Sequence, residues 1–368
     1  MQKVLQILSG LNRGGMETFI MNVYRSINRE EIQFDFLISR PGDDYEEEAK
    51  ELGATVYYSG SRRRDGVIGY CRNLDFFFKE HAWEYIAVHY HESTLTAMEP
   101  LFYAKKYGIK NRILHSHSSS VSGSKLHYVT HTINKIFVRS LANTYLGCSE
   151  KAIKWFYKGT GIFSKAQMID NGINVCKFAY NENLRFETRK NLGLQQDALV
   201  IGHIGRFIWI KNHKFLLEIF KKIVEIKPES RLLLIGQGPL LEETKDLSIR
   251  LNLQDNVIFL GLRSDIPELL QAIDIVVMPS YYEGLPVSLV EAQAAGLLVF
   301  GSDTISKDTE ITANMHFLSL QDSPDKWANT ILNKYGNFQR TTKSVEEVIK
   351  AGYDIQSIAN KLINIYKS

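Results

Sequence analysis

The chain has 368 residues and a mass of 42.1 kDa, 44% hydrophobic and 23% charged, which suits two packed domains rather than disorder. Mean hydropathy is −0.18, and no apolar run approaches the roughly 18 residues that a membrane-spanning helix needs. The net charge of +3 divides unevenly: residues 1–185 carry 24 Lys+Arg against 19 Asp+Glu (+5), and residues 186–368 carry 20 against 22 (−2). Neither excess is large enough for a nucleic-acid partner, although the basic half is compatible with an anionic one. Cys71, Cys148 and Cys176 lie scattered without metal spacing and make no disulfide framework. The N-terminal MQKVLQILSG is too briefly apolar for a secretory signal and reads as a first strand, so an intracellular, cytoplasmic protein is expected.

Strand-like runs then alternate with helical ones. In the first half the strands are expected at 3–9, 33–39, 55–58, 85–90, 112–117 and 143–148. Most are continuously apolar, as strands of a parallel sheet buried on both faces must be. Amphipathic stretches at 16–27 and 95–107 fall between them. Arg62-Arg63-Arg64 reads as loop, and 125–143 as a basic helix with aromatic positions, able to lie on an anionic membrane or to pack on the sheet. The pattern restarts at 199–205, 231–236, 257–260, 275–279 and 297–302, with helices at 213–226, 240–251 and 286–295. The fold class is therefore α/β, with two Rossmann-like doubly wound domains. The polar, turn-prone 171–183 places the boundary near residue 178, giving domains 1–177 and 178–353, with an amphipathic closing helix in 354–368.

Four segments carry chemistry. In Tyr282–Gly296, a strand leads through Gly284 into a helix opened by Pro286. Such a start presents free backbone N–H groups, a natural anion site. Glu291 in that otherwise apolar helix is costly to bury unless ligand hydroxyls donate to it. Glu283, in the loop, reads equally as a solvated acid. In Gly202–His213, Arg206 and Lys211 follow a strand end at Gly205 and can clamp a diphosphate, or be ordinary surface cations. Gly14-Gly15 and Gly236-Gln237-Gly238 follow strand ends as well, where the backbone either approaches a ligand or simply turns. His89/His91 and His115/His117 form two His-x-His pairs, each able to place both rings on one face of a strand. No Asp, Glu or Cys set at ligand spacing accompanies them, so no metal is expected. The first strand ends in SGLNRGG, not G-x-G-x-x-G, and no acid ends the second, so a nicotinamide enzyme is not indicated.

With Glu283 and Glu291 in an E-x7-E pattern, the Arg206/Lys211 pair and the Gly14-Gly15 loop, the chain resembles retaining GT-B glycosyltransferases of glycosyltransferase family 4, most of all those of bacterial capsular and exopolysaccharide synthesis. The resemblance spans essentially the whole chain and is most specific over 279–296. It implies two domains facing across a cleft, with the closing helix returning to the first. The second domain would bind a nucleotide-sugar, UDP by default, and the first a saccharide linked to undecaprenyl diphosphate. On the donor side it implies Gly15, Gly205, Arg206, Lys211, Gly236, Arg263, Glu283, Gly284, Leu285, Pro286, Val287 and Glu291. Glu291 would hold the ribose, Glu283 would lie beside the sugar, and Arg206 and Lys211 would neutralise the leaving diphosphate. His117 would lie by the transferred sugar, with His91 and His115 on the acceptor side; His115 is close enough to exchange roles with His117. No cofactor is expected, since the nucleotide-sugar is a substrate. Metal-dependent relatives in function often carry Asp-x-Asp, and none occurs here. Two other readings stand beside transfer: a nucleotide-sugar 2-epimerase of the same architecture, and a non-catalytic assembly subunit.

Overall fold

A computed structural model describes residues 1–118 and 125–368. The chain divides into two units, 1–172 with 355–368, and 173–354. In the first unit, β1 (Gln2–Ile7), β2 (Ile32–Ile38), β3 (Val56–Tyr58), β4 (Tyr85–Glu92), β5 (Asn111–Ser116), β6 (Thr144–Gly147) and β7 (Gln167–Met168) form a wholly parallel sheet in the order β3-β2-β1-β4-β5-β6-β7. One face packs Phe19, Tyr24, Phe34 and Phe36 with Ile358, Leu362 and Tyr366 of the closing helix Ile355–Lys367. The other packs Leu74, Phe78, Val88, Leu114 and Phe156. Burial on both faces is what the continuous apolar runs require.

The second unit contains β8 (Val200–Ile204), β9 (Arg231–Ile235), β10 (Val257–Gly261), β11 (Ile275–Met278), β12 (Leu298–Ser302) and β13 (Met315–Leu318), parallel in the order β10-β9-β8-β11-β12-β13. Arg189 is wholly buried beneath this sheet. It donates to Asp274 Oδ2 at 2.8 Å and to the carbonyls of Ala272, Gln196 and Ala198, so its charge and its donors are matched.

The structure corrects three expectations. The units change at 172/173, five residues before the expected boundary, because Ile173, Val175 and Phe178 pack into the second core and Ile173 N–H donates to the Tyr353 carbonyl. The return to the first unit comes at 354/355. Arg62-Arg63-Arg64 opens the helix Arg62–His81 rather than lying in a loop; Ser61 caps it by accepting from Arg64 N–H, and Gly66, at φ 68°, kinks it. Two strands have no counterpart in the sequence reading. β7 is two exposed residues, and β13 is a half-buried four-residue run, both too short to show a period.

Candidate functional site

Both sheets reverse strand order between two neighbours: β1 and β4 in the first unit, β8 and β11 in the second. Ligands of open α/β sheets bind outside the carboxyl ends of the strands at such a switch. The residues of both the Gly205–His213 and Tyr282–Gly296 segments hang from the two strands flanking the second switch.

After β8, Gly205 lets the Lys211 side chain cross close by; a Cβ there would stand 3.1 Å from Lys211 Cε. Asn212, left-handed at φ 53°, turns the chain into the helix His213–Ile226, and its side-chain amide donates to the Pro279 carbonyl at 3.1 Å. Tyr281 N–H donates to the Ile210 carbonyl at 2.8 Å, and the Trp209 and Tyr281 rings stack. These ties fix the loops after β8 and β11 to each other. Across them Lys211 Nζ pairs with Glu283 Oε1 at 2.7 Å. Arg206 is exposed, and its guanidinium has no ion pair among the described residues.

The helix Val287–Ala294 follows Gly284-Leu285-Pro286 with no side-chain cap and no acid in its first turn. Leu285 and Val287 pack against the second core, and a helix start leaves main-chain N–H groups without intrahelical partners. Gly284 is exposed, and an added Cβ would meet nothing within 4 Å. One turn further on, the half-buried Glu291 carboxyl has no hydrogen-bond or ion-pair partner among the described residues. Loss of water there pushes it up to about 8. Gly236, at φ 142°, approaches the loop after β8 so closely that a Cβ would stand 2.1 Å from the Gly205 carbonyl oxygen. Arg263, beyond β10, is engaged by Asp265 through Nε at 2.7 Å and through its terminal nitrogen. Of the donor-side candidates it is the one whose charge is locally matched on an exposed turn.

In the first unit the helix Gly15–Ser26 starts at Gly15 itself, where an added Cβ would likewise meet nothing. The two histidine pairs prove to be one cluster, because β4 and β5 are neighbours with His91 opposite His115. His89 Nε2 meets His115 Nδ1 at 3.1 Å, and His91 Nδ1 meets His117 Nε2 at 2.9 Å. His91 Nε2 meets Gln6 Oε1 at 2.8 Å, and His89 Nδ1 meets the Tyr366 hydroxyl at 2.8 Å. Gln6 Nε2 donates to the same hydroxyl at 3.3 Å. His115 Nε2 and His117 Nδ1 are buried without hydrogen-bond partners among the described residues. Burial holds His89, His91 and His115 well below the ordinary imidazole range and His117 at about 3, so all four rings are neutral at neutral pH. Ligand nitrogens of His89, His91 and His115 lie within 4.8 Å of one another, a spacing a metal ion could use. The His89 and His115 rings, however, are 5° from parallel and join nitrogen to nitrogen, which directs a shared proton between them rather than both lone pairs at a third point.

Sequence reasoning missed Gln6, Glu92 and Tyr366. No motif marks them, and only strand order and the returning helix bring them to these ends.

Two parallel-sheet Rossmann-like domains with this site at the switch define a GT-B glycosyltransferase fold. Anabaena HepE in complex with UDP and glucose is similar over 100% of both chains, with a TM-score of 0.78 at 18% identity. Residues 185–354 match the family described as Glycosyl transferases group 1. EpsF of Bacillus subtilis (strain 168), named for glycosyltransferase activity, is 34% identical over 99% of this chain and 96% of its own. The capsular polysaccharide biosynthesis glycosyltransferase CapH of Staphylococcus aureus is 25% identical over 100% of this chain and 99% of its own. The UDP-Gal:alpha-D-GlcNAc-diphosphoundecaprenol alpha-1,3-galactosyltransferase of Escherichia coli is 36% identical over 36% of this chain and 35% of its own. The chain belongs to the glycosyltransferase group 1 family.

Proposed function

We propose that this protein is a retaining, metal-independent family 4 transferase that moves a sugar from a UDP-sugar to a hydroxyl of a saccharide linked to undecaprenyl diphosphate. The observation that carries the donor half is Glu291: a half-buried carboxyl without a partner among the described residues, one turn into an uncapped helix at the switch point. Ribose hydroxyls are the donors it lacks. The diphosphate lies against the main-chain N–H groups of Gly284, Leu285 and Val287 and against Arg206 and Lys211. Bond breaking moves negative charge onto that diphosphate, and fixed cations and amides stabilise it without reorganising. The sugar departs and the acceptor arrives on one face, assisted by the leaving phosphate. HepE, titled as a complex with UDP and glucose, and the E. coli relative, named for a UDP-Gal donor and a diphosphoundecaprenol acceptor, support the choice of partners.

The acceptor half includes a peripheral contact with the anionic inner face of the cell membrane. No helix among the described residues is long and apolar enough to cross a membrane. On the helix Lys125–Leu141, however, Leu126, Val129, Ile133, Ile136 and Phe137 are exposed on one face, Ile136 by 76%, while His131 and Val138 are buried on the opposite one. Lys125 and Arg139 flank the apolar stripe, the pattern of an interfacial helix.

The test is transfer from labelled UDP-sugars to lipid-linked saccharides with EDTA present, followed by NMR of the product's anomeric centre. Transfer with the donor's configuration retained is expected. Inversion, abolition by EDTA, or epimerised UDP-sugar as the sole product each defeats the reading. Failure to co-sediment preferentially with anionic vesicles at low salt removes the membrane contact.

A further inference from the structure

At the amino end of β11, away from the loop that carries Glu283, a cavity of about 360 Å³ opens beside Asp274. Three guanidinium groups gather around that one carboxylate. Arg189 and the main-chain N–H of Val200 take its Oδ2, each at 2.8 Å, and Arg185 takes Oδ1 at 2.6 Å. Arg340 makes no ion pair among the described residues. It donates instead to the carbonyls of Leu270, Gln271, Ile273 and Ala295, at the ends of the helices Ile266–Ala272 and Val287–Ala294. Carbonyls satisfy its N–H groups but carry no net charge. Burial, and then the Arg185 guanidinium, hold Arg340 below the ordinary arginine range.

Once Asp274 is counted, two of the three positive charges are left over, and both Arg185 and Arg340 are half-buried, where solvent screens them poorly. Glu182, exposed on the rim, is paired with none of them. The cavity also offers unused donors. Arg185 Nε, the Tyr180 and Tyr335 hydroxyls and the Gln339 amide have no hydrogen-bond partner among the described residues. The Tyr180 ring itself is held in place, 4.3 Å from the Arg340 guanidinium carbon.

We propose that this cavity binds a phosphate dianion, free or as the phosphoryl group of a small metabolite, at a site separate from that of the donor's diphosphate. A phosphoryl group carries about −1.5 to −2 at neutral pH, which matches two leftover cations; a single carboxylate leaves one of them over. Planar guanidinium donors suit phosphate oxygens in particular. The volume lies at the low end of the roughly 300 to 1,000 Å³ of small-molecule sites, so an organic unit attached to the phosphate has the Tyr335 and Phe338 rings to lie against. The proposal does not depend on the transferase reading, since none of the lining residues belongs to the Gly205–His213 or Tyr282–Gly296 segments. The four-residue β11 nevertheless joins the two places, with Asp274 before its first residue and the Glu283 loop after its last.

The experiment is calorimetric titration of the full-length protein at pH 8 and constant ionic strength with inorganic phosphate, glucose 1-phosphate and acetate. UDP is kept saturating, so that the donor's diphosphate site is filled. One-to-one saturable binding of phosphate or its ester is expected, with acetate at least tenfold weaker. Tighter binding of glucose 1-phosphate than of inorganic phosphate assigns the site to an ester, and equal affinity assigns it to free phosphate. Arg185→Gln is expected to bind at least tenfold more weakly. Gln339→Glu, which adds a negative charge on the exposed rim, is expected to do the same and keeps the test intact if Arg185→Gln misfolds. Tyr335→Phe, which removes one hydroxyl, is expected to weaken binding severalfold. The Kd for UDP is unchanged in all three variants. If wild type does not bind UDP, the donor reading fails, and the titration is run on Arg206→Ala/Lys211→Ala protein, where phosphate binding upholds the site. No saturable binding of phosphate or ester, acetate binding as tightly as phosphate, or wild-type affinity in both Arg185→Gln and Gln339→Glu overturns the proposal.

Discussion

Lys211 Nζ stands 2.7 Å from Glu283 Oε1, joining the loop after β8 to the loop after β11 across the switch point of the second sheet. The pair holds a cation in place before any diphosphate arrives, and it does so with an acid that belongs to the same site. Lys211→Ala is expected to lower kcat by about 100-fold or more, the scale of removing one preorganised electrostatic group. Glu283→Gln leaves Lys211 in place but unheld. It is expected to cost less for UDP binding than for turnover. Steady-state kinetics with UDP titrations separate the two.

Glu291 makes folding and ligand binding respond to pH in opposite senses. Its carboxyl is raised from 4.5 to about 8 in the folded protein. Below pH 4.5 it is protonated folded or unfolded and contributes nothing. Between 4.5 and 8 the unfolded chain releases this proton more readily, so the group's contribution to stability falls as pH rises. Glu291→Gln is therefore expected to raise the Tm of the ligand-free protein at pH 8 and to flatten this part of the profile. Ribose donors favour the ionised form, so UDP binding to wild type releases a proton. Calorimetry in buffers of different ionisation enthalpy reads that release, and Glu291→Gln abolishes it.

The glycines divide by what surrounds them. An added methyl group at Gly15 or Gly284 meets no protein atom within 4 Å, so Gly15→Ala and Gly284→Ala are expected to keep the wild-type Tm. If ligand lies against Gly284, Gly284→Ala raises the KM for donor about tenfold. Gly236→Ala meets the Gly205 carbonyl at 2.1 Å from a backbone that L residues rarely adopt. It is expected to destabilise the protein by about 3 kcal/mol. Thermal melts and donor kinetics on the three variants test the division.

Tyr366 reaches from the closing helix into the histidine cluster, accepting from Gln6 and meeting His89. Each hydrogen bond along Gln6–His91–His117 needs one donor and one acceptor, so the Gln6 amide sets which nitrogen of His117 carries the proton. Tyr366→Phe is expected to change the imidazole ¹⁵N shifts of His89 and His115 and to lower kcat severalfold with little change in the KM for donor. Unchanged ¹⁵N shifts contradict this role.

Much of the fold was legible because parallel strands buried on both faces write continuous apolar runs. The helix His213–Ile226 matches its expected bounds because its apolar stripe has a clear helical period. β13 and β7 were not legible, being short and partly exposed. Arg206, Lys211, Glu283 and Glu291 lay in two contiguous segments, each joining a strand end to a helix, so the sequence could offer them as candidates. The unit-1 edge is assembled differently. Gln6, Glu92, His117 and Tyr366 come from separate elements, and the strand order that brings β1 beside β4 and β4 beside β5 is not encoded in any local pattern. Arg62–Arg64 was misread because the helix signal is interrupted at Gly66.

The central claim is that the carboxyl ends of the second sheet bind a nucleotide-sugar through Glu291, Arg206 and Lys211. Calorimetric titration with UDP of wild type and Glu291→Ala at pH 8 tests it most directly. The account predicts saturable one-to-one binding by wild type and at least a tenfold weaker Kd in the variant, with the variant's fold intact by circular dichroism. Equal affinity in the two proteins, or no binding of UDP by wild type, contradicts it.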